Sequence, residues 1–399
     1  MNNSHLRAWW AHKQGLDGSL RSASPASVLE QSGWARSVGG AGPYMTLFAR
    51  AGIGRDDADA AVTNLEIHEL PAARGCTYVV PASDFSLALR VSQGFGDEAQ
   101  ISTAKKYLGI TDAELDRLSQ AVLDALDTQP LDPRELKEAL GDVVRNLGAE
   151  GKKRGTTTTL PLALGKLQTA GEIRRVPISG RLDQQRYRYI RWHNPPHQHG
   201  GLSDEEAYCE LARRYFRWIG PATLANFQWF SGLSGKLAKP AVAALGLAPL
   251  TDGDSRLLFP DDLEALHRFQ PAARPHFVLT SGLDNITHLR RDVGGLLAED
   301  EQTLQAFDEK GTLITLGGLG ELPNQPILDR GQLVGMWDYD PEAQKIVWAT
   351  FRPQPESLQQ EIARIEVYIR NELGDFRIFS LDSAESRKPR LAALRKMRL

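Results

Sequence analysis

One grammar recurs along the first two thirds of the chain: short helices closed by a pair of short strands. It restricts the fold more than any single motif does. In residues 1–98, "HLRAWWAHKQGL" reads as a helix ending at Gly15, and "SPASVLEQSG" as a second with Ser24 as N-cap and Pro25 in its first turn. "YMTLFARAG" and the acid-led "RDDADAAVTNLE" continue the helical pattern. "CTYVVPASDFSLALRVSQGF" predicts a strand of consecutive apolar residues, hence buried, then a helix capped at Ser83. In residues 99–192, "ITDAELDRLSQAVLDALD" predicts a helix with a Thr111–Glu114 capping box. "LDPRELKEALGD" and "LPLALGKLQTAG" add two more helices, and "EIRRVPI" and "RYRYIRW" read as two strands joined by "SGRLDQQ". In residues 203–260, "DEEAYCELARRYFRWIG", "TLANFQWFSGL" and "LAKPAVAALG" are helical, with "LAPL" and "RLLF" as a small hairpin. Helices followed by an antiparallel strand pair are the layout of a winged helix. The expected fold class is therefore mainly α with small β-hairpins (α+β), built as three tandem winged-helix units. The three copies share a layout, not a sequence.

Residues 270–399 change character. "HFVLT", "TLITLGG", "FRIFSLD" and above all "RGQLVGMWDYDPEAQKIVWATF", with Asp340-Pro341 at its turn, carry β signals. They predict a C-terminal small β-barrel or sheet. "PESLQQEIARIEVYIRNELG" supplies a helix to pack on it through Leu358, Ile362, Ile365 and Ile369. The last residues, "RKPRLAALRKMRL", read either as a DNA-binding basic tail or as a soluble frayed end. A length of 399 residues suits several such units.

The formal net charge is −3, so the whole chain does not advertise a polyanion partner. Its distribution does. Residues 152–191 hold ten Lys and Arg against only Glu172 and Asp183. That local excess is the footprint expected of a phosphate-binding face, the alternative being a solvated helix face beside an Arg-rich strand. Two cysteines far apart, Cys76 and Cys209, fit neither a metal spacing nor a disulfide framework and suit a reducing cytoplasm. No apolar stretch approaches the ~20 residues of a membrane span, and the N-terminus has no continuous apolar core of a secretory signal. Walker, G-x-G-x-x-G, H-E-x-x-H and G-x-S-x-G motifs are all missing, which argues against a nucleotide-dependent enzyme, a zincin or a serine hydrolase. His193, His197 and His199 have a spacing that can hold a metal, but they sit in a Pro-rich linker without a carboxylate or Cys nearby. The expectation is no metal, no cofactor, a cytoplasmic monomer, and duplex DNA as partner.

Four stretches carry a resemblance: "VLEQSGWARSVGGAGPYMTLFAR", "GPATLANFQWFSGLS", "GLDNITHLRRDVGGLL" and "PILDRGQLVGMWDY". In these the chain resembles the AlkZ-like (YcaQ-like) family of winged-helix DNA glycosylases, over nearly its whole length. The resemblance implies three tandem winged-helix domains and a C-terminal β-barrel wrapped around duplex DNA. It also implies monofunctional excision of bulky alkylated or crosslinked bases. The family's catalytic signature is Gln-x-Gln or Gln-x-Asp near the end of the second helix. Matching "YMTLFAR" to the family's following helix places that signature at Arg36-Ser37-Val38, where the polar pair is absent. Three functions follow: a DNA-repair protein acting on alkylated bases, a non-catalytic duplex-DNA binder such as a lesion sensor or regulator, and a small-molecule-binding relative that has lost DNA.

The chemistry sorts the candidates. A monofunctional glycosylase must stabilise a cationic sugar and orient one water. Arg36 opposes that cation but suits a phosphate, with Ser37 beside it and a glycine-rich turn whose amides can approach an anion. Trp34 either stacks on a base or belongs to the core. Glu30 and Gln31, one turn upstream, and Asp284 are the weak catalytic candidates; the first two read equally as exposed helix residues. The DNA-binding candidates are Trp34, Arg36, Ser37, Arg154, Thr156, Thr157, Lys166, Arg174, Arg175, Arg181, Arg186, Arg188, Arg290 and Arg291. On the second strand, period two puts Arg186 and Arg188 on one face and Tyr187 and Tyr189 on the other, toward the core.

Overall fold

The computed structural model describes residues 2–95, 97–184, 186–193, 195 and 201–397. Its first segment opens with the helix Asn3–Lys13, capped by Asn2, and the helix Pro25–Ser32, capped by Ser24, whose side chain accepts from the Ser27 amide. Helices Gly42–Ala51 and Arg55–Thr63 follow. A three-stranded antiparallel sheet sits beside them, with Thr77–Pro81 in the centre, Ile67–Pro71 on one side and the two-residue strand Ala35–Arg36 on the other. The central strand is the run of consecutive apolar residues, and it is buried on both faces from Tyr78 onward. The following helix, Phe85–Ser92, is not capped by Ser83. A short 3-10 turn, Ala82–Asp84, intervenes, and the Ser83 hydroxyl instead donates to Glu30 Oε1 at 2.6 Å.

Residues 99–192 form helices around a core of their own, closed by the antiparallel hairpin Ile173–Pro177 and Tyr187–Arg191. Thr111 caps Asp112–Leu126 through the Glu114 amide, but the reciprocal half of the expected capping box is missing. Glu114 turns its carboxylate to Arg145 at 2.7 and 3.0 Å, a charge-assisted fork that outcompetes a bond to a backbone amide. The third segment begins at Asp204–Ile219, held by a Ser203–Glu206 capping box. Leu224–Ser231 and Gly235–Ala243 follow, with a three-stranded sheet in which Arg256–Leu258 is flanked by Ala222–Thr223 and Ala248–Pro249.

The C-terminal part is an open four-stranded antiparallel sheet in the order Lys345–Thr350, Gln332–Asp340, Gln325–Asp329, Phe277–Leu279. Leu358, Ile362, Ile365 and Ile369 bury one face of the helix Glu356–Tyr368 and its π-helical continuation against it. "FRIFSLD" is not a strand. It runs as an irregular segment whose Arg377 carbonyl accepts from the Ala41 amide (2.8 Å), while the Ser380 amide donates to the Val38 carbonyl (3.0 Å). The basic terminus is neither tail nor frayed end: Ala384–Lys396 is a packed helix. Arg387 is fully buried between Asp375 and Asp382, Arg390 binds Asp338 and Asp382, and Arg395 binds Asp340. Arg398 lies outside the described residues.

Two hydrophobic cores are shared by segments far apart in sequence. Trp9, Trp10, Trp34 and Phe85 pack with Tyr215, Phe216, Trp218 and Phe230. Val28, Leu29 and Tyr44 pack with Trp337, Tyr339, Ile365 and Phe376. The N-terminal helices thus lie between the third segment and the C-terminal sheet, and the stretch "GWARSVGGAGPY" runs through that junction.

Candidate nucleic-acid interface

The glycine-rich stretch resolves into three jobs. Ala35–Arg36 pairs with Val79 and Tyr78, and the Ser37 amide extends the ladder to the Thr77 carbonyl at 3.0 Å. Gly40 then meets the irregular C-terminal segment so closely that a Cβ there would be driven into the Arg377 and Ile378 carbonyl oxygens. Gly39 sits at φ +74°, the left-handed region that glycine tolerates. The glycines therefore serve a backbone-to-backbone packing joint, and the Ala41 amide is spent on Arg377 rather than free for an anion.

Alternation along the strand sends Arg36 and Ser37 to opposite faces. Ser37, 2% exposed, points to the face that holds Glu69, and its hydroxyl donates to Glu69 Oε1 at 2.5 Å. Burial pushes the Glu69 carboxyl up, opposed by the Ser37 hydrogen bond and the nearby Arg175 charge. Arg175 lies over the Tyr187 ring at 5.1 Å. The basic hairpin is thus docked on the N-terminal sheet through this buried carboxylate, and neither Ser37 nor Arg175 is offered to a partner.

Arg36 points the other way. Its Nη1 donates to the Thr77 carbonyl at 2.7 Å and its guanidinium lies over Tyr78 at 5.3 Å. Three further elements converge on that face. Arg74, held at φ +57° in the turn between two strands, approaches the Trp229 ring at 4.1 Å. Arg291, at φ +49°, approaches the same ring at 4.9 Å. The His288 imidazole meets Trp229 edge-on, with centroids 4.8 Å apart. Burial, then the charges of Arg36, Arg74 and Arg291, pull His288 down to about 3, so it is neutral at physiological pH. Both of its ring nitrogens lack a hydrogen-bond partner. The outcome is a half-buried aromatic platform ringed by three guanidinium groups and a neutral imidazole.

Arg74 and Trp229 were not singled out among the candidates by sequence. The signal for Arg74 was a lone Arg in "PAARG", the turn of a hairpin; nothing local marks it as facing residues more than 150 positions away. Trp34, in contrast, is corrected to a core residue. It is 1% exposed, packs on Trp218 at 5.4 Å and donates from Nε1 to Asp84 at 2.8 Å.

The other candidates scatter. Glu30 and Gln31 line a separate cleft with His12, Lys13, Arg217 and Trp218, which shares no residue with the Arg36 cluster. Asp284 is fully buried in a two-pronged ion pair with Arg50, at 2.7 and 2.8 Å, and caps the short helix Asn285–His288. A carboxylate so engaged has no lone pair directed at a reacting sugar. Arg290 is 4% exposed and lies over Trp10 at 3.4 Å, so it too leaves the open face, whereas Arg291 stays exposed and pairs with Glu321 at 3.4 Å.

Acidic residues from outside the basic stretch neutralise much of it. Lys166 pairs with Asp116, Arg188 with Glu135 and Arg191 with Asp127. Arg181 is held by Asp183 and by the Leu373 carbonyl. Arg174 is half-buried over Trp192. Thr156 is 8% exposed and its neighbour Thr157 is exposed. Lys152, Arg154 and Arg186 remain exposed without a carboxylate partner among the described residues, Arg154 resting on the Tyr107 ring at 4.2 Å. Tyr189 is buried as the alternation predicts, and Arg186 and Arg188 face outward. His193 approaches Asp127 at 3.6 Å, and His197 and His199 lie outside the described residues. No described helix is long and apolar enough to cross a membrane.

The family model described as DNA glycosylase AlkZ-like matches residues 31–368. Among solved structures, the Streptomyces sahachiroi DNA glycosylase AlkZ superposes with a TM-score of 0.68 at 18% identity, covering 94% of this chain and 98% of that one. No curated protein sequence matches the chain. With 31–368 spanning most of its length, this chain belongs to the AlkZ-like DNA glycosylase family.

Proposed function

We propose that this protein binds duplex DNA through tandem winged-helix units and serves in the repair of alkylated bases. The observation that carries the proposal is the convergence of Arg36, Arg74, Arg291 and His288 beside Trp229. Guanidinium groups held over rings leave N–H edges for phosphate oxygens, and a half-buried indole is a surface on which a displaced base can stack. Lys152, Arg154 and Arg186 extend the positive surface onto the second segment.

A second reading, in which the protein holds a lesion without cutting it, is favoured by one specific feature. With the family's signature matched to Arg36-Ser37-Val38, neither Arg36 nor Val38 can orient a water as an amide or carboxylate would. A guanidinium about 6 Å from an oxocarbenium-like sugar raises its energy by about 3 kcal/mol at an effective dielectric of about 20. That is roughly a hundredfold in rate for one arginine. Two measurements separate the readings. Fluorescence anisotropy on duplex DNA across a salt series should show affinity falling as salt rises; salt-independent or absent binding would sink the DNA proposal. Single-turnover excision on duplex containing 7-alkylguanine, with protein in excess, then decides. Abasic product supports a glycosylase, and binding without product supports the lesion-holding role.

A further inference from the structure

Each of the three segments has one helix immediately before its hairpin, the position from which a helix-turn-helix protein reads the major groove. In the first segment it is Arg55–Thr63. That helix carries three aspartates against one arginine, and the arginine is spent on Asp56 and Asp59. In the second it is Leu160–Thr169, where seven of ten residues are buried and the one cation, Lys166, pairs with Asp116. A helix that repels phosphate and a helix without a free face are both unsuited to a groove of DNA. The third segment differs. Ala222–Thr223, Leu224–Ser231, Gly235–Ala243 and the hairpin of Ala248–Pro249 with Arg256–Leu258 follow in order, and the last strand pairs in the middle, as it does in the first segment. Gly235–Ala243 buries Ala238, Ala241 and Val242 on one side. On the other it exposes Lys236, Leu237, Lys239, Pro240 and Ala243, with Leu237 42% exposed, and neither lysine has a carboxylate partner among the described residues. The hairpin tip carries Asp252 and Asp254, the latter forked onto Arg256, so the helix and not the tip is the positive element of this segment.

A helix about 10–12 Å across fills a major groove about 12 Å wide. The exposed side chains define what this one can do there. Lysines reach phosphates as point charges, and Leu237, Pro240 and Ala243 offer apolar contact, such as with a thymine methyl. Arg, Asn and Gln, whose paired polar atoms read guanine or adenine, are missing from the helix. It can therefore seat on DNA without reading sequence, which suits a search for damage in any context. The turn 231–234 ties it to the Trp229 platform. Gly232 sits at φ +75° against Arg74, where a Cβ would come within 2.6 Å of that side chain's Cγ, and a Cβ at Gly235 would lie 3.6 Å from Gln228 Nε2. A groove contact made by this helix thus fixes where the duplex lies relative to Trp229.

We infer that Gly235–Ala243 is the element of this chain that enters the major groove of duplex DNA, seated by Lys236 and Lys239 and indifferent to sequence. The inference rests on the duplex-binding, winged-helix function proposed above. The probe is an undamaged fluorescent duplex, followed by anisotropy over a salt series and by dimethyl sulfate footprinting of guanine N7, an atom presented in the major groove. The variants are Lys236→Gln with Lys239→Gln and, separately, Leu237→Glu. All three positions are exposed, and circular dichroism establishes that the variants fold. Wild type should protect guanine N7 over a short stretch. The double lysine variant should bind at least tenfold more weakly at about 0.1 M salt, with a salt slope lower by about 2. Leu237→Glu puts a carboxylate among the base edges and should lose the N7 protection. Duplexes of unrelated sequence should bind alike, and a preference of about tenfold, the worth of one good base contact, would contradict seating without readout. A wild type that binds duplex yet leaves guanine N7 reactive throughout overturns the inference and leaves the proposed function standing. So does a double lysine variant whose affinity and slope overlay wild type, or a Leu237→Glu protein with the wild-type footprint. A wild type that binds no duplex at all defeats the proposed function and takes this inference with it.

Discussion

Asp284 is the carboxylate on which the catalytic and structural interpretations part most sharply. Its side chain and that of Arg50 are both 0% exposed. Asp284 accepts two guanidinium hydrogen bonds from Arg50 and, as the helix cap, a further one from the Ile286 amide at 3.1 Å. Arg50 spends its other contacts on Gln14 Oε1 and the Thr46 carbonyl. Asp284→Ala therefore strands a buried cation, a loss of about 3–5 kcal/mol, and removes an N-cap worth about 1 kcal/mol. A total near 5 kcal/mol is a large part of the ~5–15 kcal/mol that holds a typical domain. Urea denaturation followed by tryptophan fluorescence reports it directly, because Trp10, Trp34 and Trp218 lie in the adjoining core. The double variant Arg50→Met/Asp284→Leu should recover most of the loss, since replacing both charges removes the unpaired ion. A stable Asp284→Ala protein that has lost excision would refute this reasoning and return Asp284 to the catalytic candidates.

Three further outcomes are expected. Gly40→Ala should destabilise by about 2–4 kcal/mol, from overpacking against the Arg377 and Ile378 carbonyls and loss of one or two backbone hydrogen bonds; limited proteolysis should then cut the irregular segment at 375–383, and resistance equal to wild type would contradict the packing joint. His68 is pulled down to about 4, by burial and then Arg174, and His288 to about 3. Both are neutral in the folded protein, so as pH falls below about 6.5 the unfolded chain takes up protons that the folded chain refuses, and each costs about 1.4 kcal/mol per pH unit down to its folded value. The buried carboxyls Glu69 and Asp338 are raised and act in the opposite sense, so the diagnostic is the difference: His68→Gln or His288→Gln should flatten the loss of stability between pH 6.5 and 5, and an unchanged slope would show that the histidines are not the source. Arg154→Glu with Arg186→Glu should weaken duplex binding and lower the salt slope by about 2, whereas anisotropy curves that overlay wild type would remove the second segment from the DNA face.

Much of the local structure was written in short-range pattern. Ser24 and Pro25 start a helix because an oxygen acceptor and a missing N–H suit its first turn. The four apolar positions of 358–369 recur at helical spacing and all are buried. The hairpin 332–350 was legible from its apolar runs around Asp340-Pro341, and the register Asp340 with Lys345 follows. Ser83 and "FRIFSLD" were misjudged for the same reason: both looked locally regular, and a distant partner claimed them, Glu30 for the hydroxyl and the backbone of 38–41 for the segment.

Charge was the least legible quantity. Ten basic residues in 152–191 suggested an open positive face, yet Asp116, Asp127 and Glu135 lie outside that window and meet three of them. A sequence window counts charges along the chain, whereas pairing depends on distances across the fold. By itself, then, the sequence determined the helices, the hairpins and the family to which they belong, because propensity, capping and apolar period act over a few residues. Tertiary structure alone decided which cations are buried against carboxylates and which gather on one face. It buried Arg50, Arg387 and Arg390 against carboxylates, and it gathered Arg36, Arg74 and Arg291 beside Trp229 from three separate stretches. The physical reason is that a guanidinium's role is set by what desolvates it and what lies within a few ångströms, and neither is a property of neighbouring letters.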